Sequence, residues 1–349
     1  MNEELVYTNS LYFSRSLNLC NEIVILDGIS GTGKTMFNPI ISTFNRMQNA
    51  RFEYMIEYLC ISAQKSKISK DAANSLLNLL ADLKLYDGMI SREVNFRPSD
   101  LSSVFNSSKG KTYLKQLFQQ DGEVIENRLR LERPILNLTT HQLLSCLNPA
   151  FESYNNRLRV IEIVRHPLYL IDHWSTYIDM FGNNARDFTV WCEYKGQDIP
   201  WFAESWAEKY IESPLYDKVI YTIEYLMEDI FRQALSDNRT NQILFIPFEK
   251  FVLNPNPYLE KLESHLSSNR SKSTKKILKK QRVPRLKIFD GPQKNIYKRY
   301  GVKKEKNTIS HKQDYKNRYK SVELKCSSNA LKTIDKISNK YEEFFGLWF

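Results

Sequence analysis

Residues 28 to 35 read Gly28, Ile29, Ser30, Gly31, Thr32, Gly33, Lys34 and Thr35, a complete G-x-x-x-x-G-K-T string. Glycines at this spacing let the backbone turn tightly and aim several N–H groups at one anion. The helix that follows points its positive end the same way, and Lys34 adds a full charge. The chemistry is phosphate binding, weighed against a plain glycine turn between core elements. Three more side chains stand where such a cradle has use for them. His141 closes an apolar run, and the carboxyl end of a strand beside a phosphate loop is a place for a general base; a lone histidine is more often structural. Arg165 follows another apolar run, where an unpaired charge is costly, so it needs a phosphate or a carboxylate as partner. His173 is able to donate an N–H to the same anion, or to serve as a satisfied helix histidine.

These residues require strands that end together. Ile23 to Leu26 is a short apolar run of buried parallel-strand type leading into the cradle. Phe37, Ile40, Ile41, Phe44 and Met47 repeat at helical spacing after it, with Asn38-Pro39 predicting a kink. A second strand is expected over Pro134 to His141 and a third over Arg159 to Arg165, where His166-Pro167 starts a helix. A fourth is expected over Gln242 to Phe248. Between them lie a helical stretch to about Tyr86 with Leu76, Leu77, Leu80 and Leu83 on one face, and an amphipathic helix carrying Ile223, Leu226, Met227, Ile230, Phe231 and Ala234. Leu331 to Phe345 forms a closing helix. Residues 87 to 128 are loop-rich and read as an insertion. Strands alternating with helices predict one α/β domain over residues 1 to 349, a central parallel sheet with helices on both faces.

The composition is that of a globular protein, with 42% hydrophobic and 13% aromatic residues in 349. No 18-residue apolar stretch is present and Met1-Asn2-Glu3-Glu4 lacks a signal-peptide start, so a cytoplasmic protein without a membrane partner is expected. Five widely spaced cysteines make no C-x-x-C pair and read as reduced thiols. The formal charge of +10 is uneven: residues 269 to 320 hold 19 Lys and Arg against three acids, a surplus of 16, which leaves −6 on the rest. That segment suits a polyanion or a nucleotide's phosphates, and reads as a cap or lid; a solvated charged loop is the plainer alternative. Trp191, Trp201 and Trp206 suit core packing better than a sugar platform.

Four pieces in series resemble the sulfotransferases that use 3′-phosphoadenosine 5′-phosphosulfate (PAPS). Ser30-Gly31-Thr32 is similar to that family's S-G-T-T loop, Thr140-His141 to its T-H pair, Ile163 to Pro167 to its V-R-x-P signature, and Ile246 to Pro255 to its Y-E-D-x-x-x-x-P stretch. The ending Tyr341 to Leu347 resembles its terminal helix. The resemblance implies that Gly28, Ser30, Gly31, Thr32, Gly33, Lys34 and Thr35 hold the phosphosulfate, that Arg165 with His173 holds the 3′-phosphate, and that His141 is the catalytic base. Two departures stand out. The family's loop lysine precedes S-G-T, where this chain has Ile29, and Lys34 comes after as in nucleoside triphosphatases; the family's serine eight residues past the arginine is His173 here. The expected reaction is sulfuryl transfer from PAPS to a hydroxyl on a carbohydrate or small metabolite, with Lys34 stabilising charge and no metal. The rivals are a Mg-dependent kinase or triphosphatase, with Thr35 on the metal, and a nucleic-acid binder built on residues 269 to 320, for which no nucleic-acid motif is found.

Overall fold

The computed structural model describes residues 11–100, 102–179, 187–236, 239, 241–291 and 309–349. Its strands are β1 Ile23–Asp27, β2 Arg51–Phe52, β3 Leu136–Thr139, β4 Leu158–Val164, β5 Trp191–Tyr194, β6 Gln197–Pro200 and β7 Ile243–Pro247. The α-helices are α1 Lys34–Ile41, α2 Tyr54–Gln64, α3 Lys70–Met89, α4 Gly110–Gln116, α5 Glu123–Glu132, α6 Asn148–Tyr154 and α7 Ile171–Asp179. They continue as α8 Ala207–Glu212, α9 Leu215–Leu235, α10 Phe248–Leu253, α11 Asn256–Leu266, α12 Thr274–Lys280, α13 His311–Glu323 and α14 Ser328–Phe345.

Five strands form one parallel sheet in the order β2-β3-β1-β4-β7. Every residue of β1 and β3 is buried, so both faces of the sheet's centre are covered. The chain first winds from β1 to one side and then crosses back to β4 and β7. The reversal lies at β1, where the cradle leaves the sheet's carboxyl edge, the position at which open α/β sheets bind ligands. β5 and β6 pair separately as an antiparallel hairpin.

Several expectations shift at this level. Helix α1 contains Pro39 and ends two residues past it at Ile41, with the Ser42 N–H still on the Asn38 carbonyl at 3.0 Å. Phe44 and Met47 remain in the core through isolated bridges to Arg270 and Ile135. On α3 the buried positions are Ala73, Leu77, Ala81 and Leu85, whereas Leu76 and Leu83 are exposed. The buried stripe is one of i, i+4 steps that includes two alanines, which a search for leucines passes over. Trp201 is in the core, and Trp206 packs against it with its indole N–H on the Phe202 carbonyl at 2.9 Å. The five thiols are free. No helix among the described residues is long and apolar enough to cross a membrane.

Candidate active site

The cradle's backbone uses its glycines at close quarters. Gly31 has φ +94°, and a Cβ there would fall 2.9 Å from the His173 ring; Gly33 has φ +103°, and a Cβ there would fall 2.6 Å from the Phe248 ring. The loop is therefore wedged between α7 and the start of α10, and no side chain fits at either place. Trp174 donates its indole N–H to the Ser30 carbonyl at 2.9 Å, and the Ser30 hydroxyl lies 3.1 Å from His173 Nε2. Burial, with Arg165 and Lys34 nearby, lowers the His173 pKa from 6.5 to about 4, so this imidazole is neutral at pH 7. Thr32 Oγ1 is buried with no hydrogen-bond partner among the described residues.

The turn after β3 is latched to the cradle residue by residue. Thr140 N–H donates to the Leu26 carbonyl at 3.1 Å and Gln142 N–H to that of Gly28 at 3.0 Å. Asp27, fully buried at the end of β1, accepts from the Thr140 hydroxyl at 2.9 Å and the Leu143 N–H at 2.7 Å. Ser30 N–H returns a bond to Gln142 Oε1 at 3.2 Å. Between these latches stands His141, whose ring lies between Phe52 and Tyr54, with centroids 5.3 and 5.6 Å away and 13° between planes in both cases. Its Nδ1 is 2.9 Å from Oε1 of Glu57, an acid on the first turn of α2.

Lys34 is buried, and its ammonium lies on the carbonyls of Gly28 and Ile29 at the base of the loop. Burial lowers its pKa, while Asp27, Glu162 and Glu57 oppose that shift. Glu162 faces Asp27 across the β1–β4 register and is itself buried; desolvation, then Asp27, pushes its carboxyl well above the usual range. Thr35 lines a narrow cleft with Asn38, Phe52, Ser102, Ser103 and Asn106, so part of the 87–128 insertion lies against the cradle's own helix.

Arg165, at the carboxyl end of β4, donates Nη1 to the Gly31 carbonyl at 2.8 Å, and its guanidinium lies 4.7 Å from the Phe248 ring centroid. Its Nε is 3.8 Å from Glu249, a buried carboxylate that also accepts from His166 N–H at 3.2 Å and the Tyr341 hydroxyl at 3.0 Å. Of the two candidate partners of Arg165 the carboxylate is Glu249 behind it, and in front the guanidinium meets the Gly31 carbonyl of the cradle. Arg285 from the basic segment lies 5.5 Å from the other partner of Gly33, the Phe248 ring.

The structure gathers Gly28 through Thr35, His141, Arg165 and His173 around one loop. Sequence reasoning missed Asp27, Glu57, Gln142 and Glu162. Gln142 had a signal in adjoining Thr140-His141; Glu57 had none, being one acid among 40 Asp and Glu. In the 87–128 insertion Arg92 pairs with Asp87 at 3.0 Å and Arg97 stands 3.9 Å from Asp100, both on the surface.

No family model and no curated protein matches the chain. Solved structures do. The sulfotransferase domain of the Synechococcus PCC 7002 olefin synthase is 12% identical, with 89% of this chain and 98% of that one covered and a TM-score of 0.39. The sulfotransferase domain of the curacin biosynthetic pathway is 12% identical, with 89% and 100% covered and a TM-score of 0.41. Mouse sulfotransferase SULT7A1, solved in complex with PAP, is 10% identical, with 93% and 90% covered and a TM-score of 0.33. These similar structures are sulfotransferases, the family whose sequence signatures the four pieces of this chain resemble.

Proposed function

We propose that the chain transfers a sulfuryl group from PAPS to a hydroxyl on a carbohydrate or small metabolite. The observation that supports the reading is the latching of the turn around His141 to the cradle through Thr140, Gln142 and Leu143, which brings a potential base and a phosphate loop to the same strand ends. The donor set suits a phosphosulfate: glycine-loop amides, the first turn of α1, the buried Thr32 hydroxyl, and Arg165 on the far side of Gly31. Sulfuryl transfer is taken to pass through a loose in-line transition state like that of phosphoryl transfer, so positioning and charge stabilisation do most of the work. His141 takes the acceptor's proton as its oxygen bonds to sulfur, and the bridging oxygen leaves with the electron pair toward the cradle. Lys34 stabilises that developing charge from the base of the loop. The transfer as proposed uses no metal.

The kinase or triphosphatase reading gains two carboxylates near Lys34, Asp27 and Glu162. Asp27 is engaged through both oxygens by Thr140 and Leu143, which favours a role in holding the turn. Aromatic side chains in the basic segment would serve the nucleic-acid reading by stacking on bases, but Tyr315 donates its hydroxyl to Glu342 at 3.1 Å and packs on His166, and Phe289 and Tyr319 pack on the core; Tyr297 and Tyr300 lie outside the described residues.

A titration of adenosine 3′,5′-bisphosphate against AMP and against ATP with and without Mg tests the proposal. The bisphosphate is expected to bind at micromolar concentration without metal, and Arg165→Ala to weaken it by about 2 to 4 kcal/mol while leaving AMP nearly unchanged. Equal affinity for AMP and the bisphosphate removes the 3′-phosphate from the account, and Mg-dependent preference for ATP hands the site to the rival.

A further inference from the structure

We infer that Glu57 is the positioning residue that makes His141 a base, by fixing which of its ring nitrogens keeps a proton. The consequence for catalysis rests on the reading of His141 proposed above; the geometry stands apart from it.

One oxygen makes both contacts. Glu57 Oε1 accepts the backbone N–H of His141 at 3.0 Å and lies 2.9 Å from Nδ1 of the same residue. An oxygen already accepting from an amide is a poor place for a carboxylic acid's own proton, so the ring nitrogen facing it is the donor. Nδ1 therefore carries hydrogen, and Nε2 is left with its lone pair. The Phe52 and Tyr54 rings, each 13° from the imidazole plane, hold it against rotation. The backbone bond ties the carboxylate to the same residue that it orients, so movement of the turn carries ring and carboxylate together.

Accessibility divides the pair as this role requires. The Glu57 side chain is 9% exposed and that of His141 23%, so the carboxylate is held inside and part of the imidazole is left for solvent or a substrate. Burial raises the Glu57 pKa, and His141 opposes that rise by its charge and its hydrogen bond. Glu57 also adds its field to that of Asp27 and Glu162 at Lys34. A salt bridge serving stability alone has no need of a clamped ring with a reachable edge.

The step balances without a further proton carrier. The acceptor's proton moves to Nε2, its oxygen forms the S–O bond, and the S–O bond to the leaving nucleotide breaks with the electron pair on the nucleotide. Nδ1 keeps its proton throughout. The imidazolium then faces a carboxylate that stabilises it without taking the proton, the division of labour known from histidine–carboxylate pairs in hydrolases.

The test is the tautomer, read by long-range 1H–15N spectra of histidine-labelled full-length protein saturated with adenosine 3′,5′-bisphosphate, with the His141 signals assigned by their loss in His141→Asn. The wild type is expected to show protonated Nδ1 and bare Nε2. Glu57→Gln should keep that tautomer, since an amide oxygen accepts both bonds, whereas Glu57→Ala should lose it. Turnover of PAPS with an acceptor found by screening hydroxyl compounds should fall about 10-fold in the first variant and about 100-fold or more in the second, with the bisphosphate Kd unchanged in both. A wild-type ring protonated on Nε2 overturns the inference, as does a Glu57→Ala protein with wild-type tautomer and turnover. If Glu57→Ala does not fold, the wild-type spectrum and the glutamine variant decide. Normal turnover in His141→Asn sinks the proposed base and leaves the tautomer assignment standing, so the two failures are distinguishable.

Discussion

Two histidines are held neutral for reasons that have nothing to do with proton transfer, and they set a pH limit on the fold. His173 sits under Gly31, and His265 lies 3.0 Å from the Val160 carbonyl; burial is the largest cause in each case and lowers both pKa values from 6.5 to about 4. Above pH 6.5 neither folded nor unfolded chain protonates them. Between 6.5 and 4 the unfolded chain binds these protons and the folded one does not, so stability falls as pH falls, by up to about 3 kcal/mol for each. Urea unfolding at pH 7 and pH 5 is expected to show this loss, and His265→Gln to remove about half of the part the two histidines contribute. An unchanged pH dependence in that variant would mean His265 is already protonated when folded. At this scale the sequence was readable where chemistry leaves a local string. Arg165 could be picked out as a charge at a strand end and His173 through the family resemblance, but Glu57 meets His141 across 84 positions, a pairing that only the fold creates.

Among the elements, the joint between β1 and the turn after β3 carries the site. Asp27→Asn keeps the shape of the side chain, removes a charge that faces Lys34, and turns one acceptor into a donor opposite Thr140 or Leu143. It is expected to cost about 3 kcal/mol in urea unfolding, whereas exposed Arg97→Ala should stay within about 0.5 kcal/mol. A small effect of Asp27→Asn would show that the turn is held by its backbone bonds alone. The four main strands were legible because buried parallel strands leave short, nearly unbroken apolar runs. The two-residue β2 and the β5–β6 hairpin were not: the first is too short for any periodicity, and the second mixes half-buried and exposed side chains, so alternation never appears. Pro39 in α1 predicts a bend, whereas the helix stops two residues past it.

Over the whole molecule, charge is sorted so that the basic segment borders the cradle's partners. Thr274 of α12 meets Thr43 at 2.8 Å behind α1, Arg285 reaches Phe248, and Arg318 of α13 lies 4.7 Å from the Tyr169 ring, which also has Arg165 at 5.9 Å. Residues 292–308 of the segment lie outside the described residues. The crowded positive charges of the segment repel one another, and an anion bound among them lowers that repulsion. Limited proteolysis with trypsin is accordingly expected to cut between Asn269 and Lys320 more slowly when adenosine 3′,5′-bisphosphate is bound. Equal rates with and without it would leave the segment a charged surface with no part in binding.

The support behind Arg165 also sets a timetable. Glu249 holds the arginine's rear face and is itself held by the Tyr341 hydroxyl, while His166, next along the chain, lies 3.2 Å from Glu342. The glycine loop is made before Arg165, and α14, which carries Tyr341 and Glu342, only after it. During synthesis Arg165 and Glu249 are therefore made well before Tyr341, whose hydroxyl completes the support behind the arginine.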